Sequence, residues 1–210
     1  MDAKRFEREL PGLFERFPES PSPRDRRFEE VLAAVPGLAR ENNLALLNLA
    51  ARLLGPGESY VEVGSYRGTS LVAAMLGNDG EFVAIDDFSF AEATQAGLEA
   101  SLDRFGLEDA TIVAGDAFDL LERGALEGRS VGAYYYDAAH DYDSQLRGLR
   151  LVEPHLAREA LLVVDDSDWD EVRRATADYL AGQPHARLLF DIPGSEGWWE
   201  GMQVLSWYGV

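Results

Sequence analysis

From residue 59 onward, short apolar runs alternate with longer segments in which apolar residues recur every three or four positions. The short runs are typical of buried strands, and the longer periodic segments are typical of amphipathic helices. Seven runs predict strands: Ser59–Val63, Glu81–Ile85, Thr111–Ala114, Val131–Tyr136, Ala160–Val164, Ala186–Asp191 and Met202–Trp207. Five segments between them predict helices: Thr69–Leu76, Phe90–Phe105, Ala117–Glu122, Tyr142–Leu156 and Asp168–Leu180. Strands that are apolar throughout and separated by helices predict a doubly wound α/β fold with a mainly parallel, seven-stranded sheet.

The part of the chain before the first strand has a different character. Residues Pro11–Arg27 are rich in Pro, Ser and charged residues, which predicts an irregular arm. Two helical patterns follow it, and the Gly-Pro-Gly sequence at 55–57 ends the second one. We therefore expect a single domain over 1–210, in which 1–54 form an N-terminal helical extension and 55–210 form the α/β core.

Composition narrows the classes of function. The chain has 210 residues, 46% of them hydrophobic, so a substantial core is expected. Its 38 Asp and Glu against 19 Lys and Arg give a net charge of −19, which disfavours nucleic acids and anionic membranes as partners. The absence of cysteine excludes disulfides and thiolate chemistry. Residues Met1–Leu10 lack the apolar core of a signal peptide, and no apolar run approaches the roughly 20 residues of a membrane span. These features favour a cytoplasmic protein.

The first predicted strand ends in an acid followed by a glycine turn. Glu62 lies two positions before Gly64, and three residues separate Gly64 from Gly68. Gly64 permits a sharp turn and a close approach of ligand to backbone, and Gly68 lets the next helix begin tight against the sheet. Ser65 and Tyr66, which follow Gly64, do not supply the middle glycine of a dinucleotide fingerprint, and the lysine of a phosphate-binding loop is also missing. A phosphate ligand is therefore less favoured here.

This acid-x-Gly-x-x-x-Gly pattern resembles motif I of class I methyltransferases, which have a Rossmann-like sheet and bind S-adenosylmethionine. The resemblance implies that the acid lies near the cationic amino-acid part of that cofactor. A carboxylate attracts such a cationic group, whereas it would repel a pyrophosphate. The resemblance also implies that a serine just beyond the turn helps to hold the cofactor's carboxylate. The cofactor-binding residues it implies in this segment are Glu62, Gly64, Ser65, Tyr66, Gly68 and Ser70.

Acids also end the second and third predicted strands. Asp86 and Asp87 follow the second strand, where a carboxylate accepts hydrogen bonds from ribose hydroxyls in adenosine-binding sheets. After the third strand, the resemblance places Asp116 and the adjoining Ala117 near the adenine. Helix capping explains some of the same residues, with Asp87 or Ser89 capping one helix and Asp116 capping the next.

The fourth and fifth strands end in Asp137 and in the pair Asp165 and Asp166. Because the carboxyl ends of parallel strands meet at one edge of a sheet, these three carboxylates are expected to converge. Unpaired, they would repel one another, and a divalent cation resolves that conflict. Oxygen ligands suit Mg²⁺, with Mn²⁺ or Ca²⁺ as alternatives. Helix capping by Asp165 and Asp166 is the competing explanation.

This arrangement resembles the metal-dependent O-methyltransferases related to catechol O-methyltransferase and their sugar- and antibiotic-modifying relatives. The resemblance implies that Asp137, Asp165 and Asp166 are metal ligands, with Asp137 also beside the cofactor and the reacting groups. The catechol enzymes place a lysine base three residues after the first acid, whereas this chain has His140 there. Antibiotic-type relatives often read Asp-x-x-His-x-Tyr, which Asp137, His140 and Tyr142 match, and this moves the expected substrate away from simple catechols. His140 is accordingly the candidate base for a substrate hydroxyl.

The remaining expectations concern the substrate and its surroundings. Trp169, Trp198 and Trp199 are candidate walls of a substrate pocket, and Asn42 or Asn43 is expected to reach it from the N-terminal helices. The expected substrate is a hydroxylated small molecule, and a homodimer through the N-terminal helices is a reasonable assembly. Two alternatives remain open: an NAD(P)-dependent oxidoreductase on a similar sheet, and a methyltransferase-like domain that binds without catalysis.

Overall fold

A single mixed sheet organises the protein, which a computed structural model describes over residues 1–209. Its strands are β1 Ser59–Val63, β2 Glu81–Asp86, β3 Ala110–Ala114, β4 Val131–Tyr136, β5 Leu156–Val164, β6 Ala186–Ile192 and β7 Met202–Tyr208. Its helices are α1 Ala3–Glu9, α2 Arg27–Ala34, α3 Glu41–Arg52, α4 Thr69–Met75, α5 Gln95–Arg104, α6 Ala117–Glu122, α7 Tyr142–Val152 and α8 Asp170–Gly182. The strand order is β3-β2-β1-β4-β5-β7-β6. β7 runs antiparallel to both of its neighbours, and the other pairs are parallel. The predicted doubly wound, mainly parallel sheet is confirmed.

Strand order reverses between β1 and β4, because the chain moves outward to β3 before it returns beside β1. In doubly wound sheets this reversal opens a crevice at the carboxyl ends of the two central strands. Ligands therefore have access to the turns that follow Val63 and Tyr136.

Both faces of the sheet are covered, which explains why its strands are apolar throughout. Tyr60 and Tyr135 belong to one buried cluster together with the apolar residues of α1 to α5. Tyr134 and Tyr136 point to the opposite face and pack in a second cluster with α6, α7 and α8. The division into an extension over 1–54 and a core stays a prediction from the sequence.

Two predicted helices are shorter than expected. α5 begins at Gln95 rather than at Phe90, because the Thr94 side chain accepts a hydrogen bond from the Gly97 N–H at 3.0 Å and caps the helix there. α7 ends at Val152, just before Pro154, which has no N–H to continue a helix. The chain passes through a short 3₁₀ turn and enters β5 at Leu156, four residues earlier than predicted.

The irregular arm packs against the end of the sheet that carries β7. Trp199 is only 3% exposed, and its ring lies 5.3 Å from that of Phe14 and 6.1 Å from that of Phe17. Its indole N–H donates to the Pro18 carbonyl at 2.9 Å. The expectation that Trp199 walls a substrate pocket is therefore wrong, since its ring anchors the arm instead. Within residues 1–209, no helix is both long and apolar enough to cross a membrane.

Candidate functional site

The glycine turn after β1 brings two strand ends into close contact. Gly64 has φ +90°, and a Cβ at this position would overlap the backbone carbonyl oxygen of Asp137. The Gly64 N–H donates a hydrogen bond to the Ile85 carbonyl oxygen at 2.9 Å, and the Asp137 N–H donates one to the Val63 carbonyl oxygen at the same distance. Glycine is required here both for its φ and for the close approach of the β4 terminus. The turn at Gly64, predicted to bind the cofactor, therefore lies directly beside Asp137, the first of the predicted metal ligands.

Asp86, at the end of β2, holds this turn in place. Its Oδ2 accepts backbone hydrogen bonds from Ser65 and Tyr66, each at 2.7 Å. Its Oδ1 accepts a third from the Phe88 N–H at 2.6 Å. The strained backbone of Tyr66, with φ +48°, is supported by this carboxylate. Asp86 thus shapes the turn, and contact with a ribose stays a prediction for it.

The neighbouring acid, Asp87, is exposed and makes a local turn. Its Oδ1 accepts from the Ser89 N–H at 2.8 Å. The hydroxyl and the N–H of Ser89 hold the pKa of Asp87 below its ordinary value. Asp87 is therefore ionised near neutral pH and accessible to a polar ligand, while α5, the helix that it was expected to cap, begins only beyond Thr94.

Asp116 caps α6. Its side chain accepts from the Asp119 N–H at 2.8 Å, and Ala117 is the first helical residue. Gly115 before it has φ +146°, which turns the chain from β3 into the helix. The capping interpretation of Asp116 is confirmed, and a contact of Asp116 or Ala117 with adenine stays a prediction.

Glu62 is completely buried beneath the glycine turn. Its carboxyl group accepts hydrogen bonds from the Tyr60 hydroxyl at 3.0 Å and from the Ser70 hydroxyl at 3.2 Å. Burial raises the pKa of Glu62 to about 8, although both hydroxyl groups counteract the shift. At neutral pH without ligand, the side chain is mostly neutral. Ser70 is engaged with Glu62, and its contact with the cofactor's carboxylate stays a prediction.

The strand-end acids of β4 and β5 converge on one tyrosine. The Tyr135 hydroxyl lies 2.9 Å from Asp165 Oδ2 and 3.1 Å from Asp137 Oδ2. Asn43, on α3, donates to Asp165 Oδ1 at 3.4 Å. Burial and the nearby Asp166 raise the pKa of Asp137 to about 7, and burial together with Asp137 raises that of Asp165 well above its ordinary value. The expected convergence of the three acids is present, and their mutual repulsion is evident in both shifts.

Three side chains in this cluster are close enough to share one cation. The ligand atoms of Asp137, His140 and Asp166 all lie within 4.8 Å of one another. His140 Nε2 lies 3.0 Å from Asp166 Oδ2, and the Trp169 ring lies 5.3 Å from the imidazole. Asp165 is absent from this set, and its oxygens accept hydrogen bonds from Asn43 and Tyr135. The predicted ligands Asp137 and Asp166 are together, His140 joins them, and the ligand role of Asp165 stays a prediction.

Sequence reasoning missed one member of the cluster, Glu200. Its backbone N–H donates to Asn43 Oδ1 at 3.2 Å, and Arg40 Nε lies 3.8 Å from its carboxylate. Burial raises the pKa of Glu200 to about 7, and Asp166 adds to the increase. Glu200 precedes an antiparallel strand, where the rule about parallel strand ends gives no signal. Of the two asparagines, Asn43 therefore reaches the site, whereas Asn42 donates to the Ser20 carbonyl of the arm.

The sequence that forms this edge of the sheet matches the model of a known protein family. A model of the methyltransferase domain matches residues 61–167, which run from β1 to the acids after β5. No curated protein sequence gives a match.

Several solved structures share the fold. The O-methyltransferase TomG from Streptomyces achromogenes, involved in tomaymycin synthesis and in complex with SAM, is 20% identical, with 100% of both chains covered and a TM-score of 0.69. An O-methyltransferase from Bacillus cereus in complex with SAH is 17% identical over 99% of this chain and 100% of that one, with a TM-score of 0.66. The SAH-bound methyltransferase PaMTH1 from Podospora anserina is 17% identical over 98% of this chain and 94% of that one, with a TM-score of 0.64.

Proposed function

Because the chain belongs to the methyltransferase-domain family, we propose that it is an S-adenosylmethionine-dependent O-methyltransferase that uses a divalent cation and acts on a hydroxylated small molecule. One observation carries the proposal: the ligand atoms of Asp137, His140 and Asp166 lie within 4.8 Å of one another, directly beside the turn at Gly64. A methyl donor on that turn would face a hydroxyl group held at the acidic cluster.

The cofactor part of the proposal rests on the turn and on the fold. Gly64 and Gly68 both have positive φ, a backbone conformation that shapes the sharp turn between β1 and α4. The turn lacks the middle glycine of a dinucleotide site, which disfavours NAD(P). Neighbours with the same fold hold SAM or SAH. Glu62 beneath the turn supports a cationic ligand, because a positive charge above it would favour the carboxylate form.

The metal part rests on the donor set. The carboxylates of Asp137 and Asp166 suit a hard divalent cation such as Mg²⁺ or Mn²⁺, with the imidazole of His140 left as the base, and soft thiolate donors are absent from the sequence. A cation bound there would lower the pKa of a substrate hydroxyl and fix its orientation. His140 accepts the hydroxyl proton, and Asp166, 3.0 Å from its Nε2, stabilises the imidazolium that results. Displacement at the methyl carbon then depends mainly on the alignment of the two reactants.

Calorimetry with Mn²⁺ tests the donor set without knowledge of the substrate. We expect one Mn²⁺ per chain in the wild type and a loss of affinity in Asp137→Asn and in Asp166→Asn. Asp143→Asn is the matched control, since Asp143 is an exposed acid on α7 outside the cluster. Wild-type affinity in both cluster variants would exclude this site for the metal.

A transfer assay tests the reaction. The wild type is incubated with SAM and a panel of phenols and hydroxylated sugars, with Mg²⁺ or with EDTA, and methylated products are detected by mass spectrometry. We expect transfer that requires Mg²⁺, that is lost in Asp165→Ala without a change in SAH affinity, and that falls in His140→Gln. Metal-dependent transfer that persists in Asp165→Ala would remove Asp165 from the ligand set. SAH binding without transfer to any substrate would favour the non-catalytic alternative.

A further inference from the structure

Positive charge is concentrated in the N-terminal part of the chain. Residues 1–54 carry nine of the 19 Lys and Arg together with nine Asp and Glu, so residues 55–210 carry the whole net charge of −19. Arg24, Arg26 and Arg27 are nearly consecutive within this part. An anion repelled by the acidic core therefore meets a locally neutral surface in which arginines are clustered.

A cavity of about 160 Å³ lies among these arginines, between the arm and helices α2 and α3. None of its lining residues belongs to the acidic cluster, and its lining has two parts. Three guanidinium side chains and one carboxylate supply the charge: Arg24, Arg27, Arg52 and Asp25. Apolar side chains supply much of the rest, among them Leu13, Phe28 and Leu49. The cavity thus combines a net positive lining with an apolar one.

Two of the arginines are held in place before any ligand arrives. Arg27 Nη2 donates to the buried Asn48 Oδ1 at 2.6 Å, and its Nε lies 3.1 Å from Asp25 Oδ2. Arg24 Nε donates to the Phe14 carbonyl at 3.1 Å, and within residues 1–209 no carboxylate lies within 4.0 Å of its guanidinium. Asp25, beside Arg27, and Glu9, 3.6 Å from Arg52 Nη2, offset two of the three positive charges, and Arg24 supplies the third. Prior fixation reduces the entropy lost on binding.

We propose that this cavity binds a small organic anion, with a carboxylate or phosphate head on the arginines and a short apolar body against Leu13, Phe28 and Leu49. Guanidinium groups match the planar, two-point geometry of both kinds of head group. The volume corresponds to about five water molecules at roughly 30 Å³ each, so the cavity holds the head group, and a short body reaches the apolar side chains toward its open mouth. An inorganic anion would leave the apolar part of the cavity without contacts. The site is independent of the methyl-transfer site and does not rest on its function.

Thermal unfolding with matched probes tests the proposal on the full chain. Phenyl phosphate and phenylacetate carry the two head groups on an apolar body, inorganic phosphate carries a head group alone, and benzyl alcohol carries the body alone. The variants are the double substitution Arg24→Gln/Arg52→Gln, which leaves the Arg27–Asn48 contact intact, and the control Arg123→Gln. Arg123 directly follows α6, and its side chain is largely exposed.

We expect at least one of the two aromatic anions, at about ten times its dissociation constant, to raise the Tm of the wild type and of Arg123→Gln by about 3–5 °C. Which of the two does so identifies the head group. Inorganic phosphate and benzyl alcohol should raise the Tm by less than half as much, and the double variant should lose the response. Equal responses in all three proteins, a response to phosphate as large as to the aromatic anions, or no response in the wild type would each overturn the proposal.

Discussion

Replacement of the buried Glu62 by Gln should make the protein more stable at neutral pH and less sensitive to pH. The carboxyl group is fully buried, and burial raises its pKa from 4.5 to about 8. Its two hydrogen-bond partners are the hydroxyl groups of Tyr60 and Ser70, which can also bond to an amide. Glutamine is isosteric and never ionises, so it keeps the packing and removes the cost of a buried charge.

The magnitude follows from proton linkage. The folded-state pKa lies above the unfolded-state value, so the native state binds more protons than the unfolded state between pH 4.5 and 8. The contribution of Glu62 to the free energy of unfolding is therefore at its maximum below about pH 4.5. It decreases by about 1.4 kcal/mol per pH unit as the pH rises toward 8. At pH 7 the loss reaches about 3 kcal/mol, which Glu62→Gln should recover. For a chain of this size that corresponds to a Tm higher by about 6–12 °C.

Urea unfolding at pH 5, 6, 7 and 8 measures this effect directly. We expect the free energy of unfolding of Glu62→Gln to exceed that of the wild type by an amount that grows with pH. Glu99→Gln, an exposed substitution on α5, is the control and should change neither the stability nor its pH dependence. A difference between Glu62→Gln and wild type that stays constant from pH 5 to 8 would refute the reasoning.

Substitutions at three other positions test the geometry of the site. Gly64→Ala places a Cβ against the Asp137 carbonyl oxygen at φ +90°. It should lower the free energy of unfolding in urea by about 2–4 kcal/mol and abolish SAH binding. A stable variant that binds SAH would contradict the close approach of the two strand ends. Asp116→Ala should cost about 1 kcal/mol as a lost cap, and Asp116→Ser should restore stability but not SAH affinity; restored affinity would remove Asp116 from the adenine site. Glu200→Gln should weaken Mn²⁺ binding by about tenfold in calorimetry, and an unchanged affinity would place Glu200 outside the cluster.

The sheet could be predicted from the sequence because each strand is buried on both faces. Such strands are apolar throughout, and turn residues or helices separate them. The parallel-edge rule then placed Asp137 and Asp166 together, because it needs only the strand ends and not the side-chain contacts. Helix ends were harder to predict, as the cap at Thr94 shows, since local hydrogen bonds decide them.

The rest of the site depends on contacts between distant segments. Glu200 enters the cluster through an antiparallel strand, and its backbone is bound by Asn43 on α3, 157 positions earlier. Asp165 turns toward Tyr135 and Asn43 rather than toward His140, which only the side-chain packing determines. Trp199 belongs to the arm for the same reason. Periodicity and motif spacing carry no information about these contacts.

Calorimetric titration of the wild-type chain with SAH and, separately, with NAD tests the central claim most directly. Methyl transfer at the Gly64 turn requires that SAH binds with one site per chain and that NAD does not bind. SAH binding should also be lost in Gly64→Ala, which ties the site to the turn. Saturable NAD binding with none for SAH would contradict the assignment and favour an oxidoreductase.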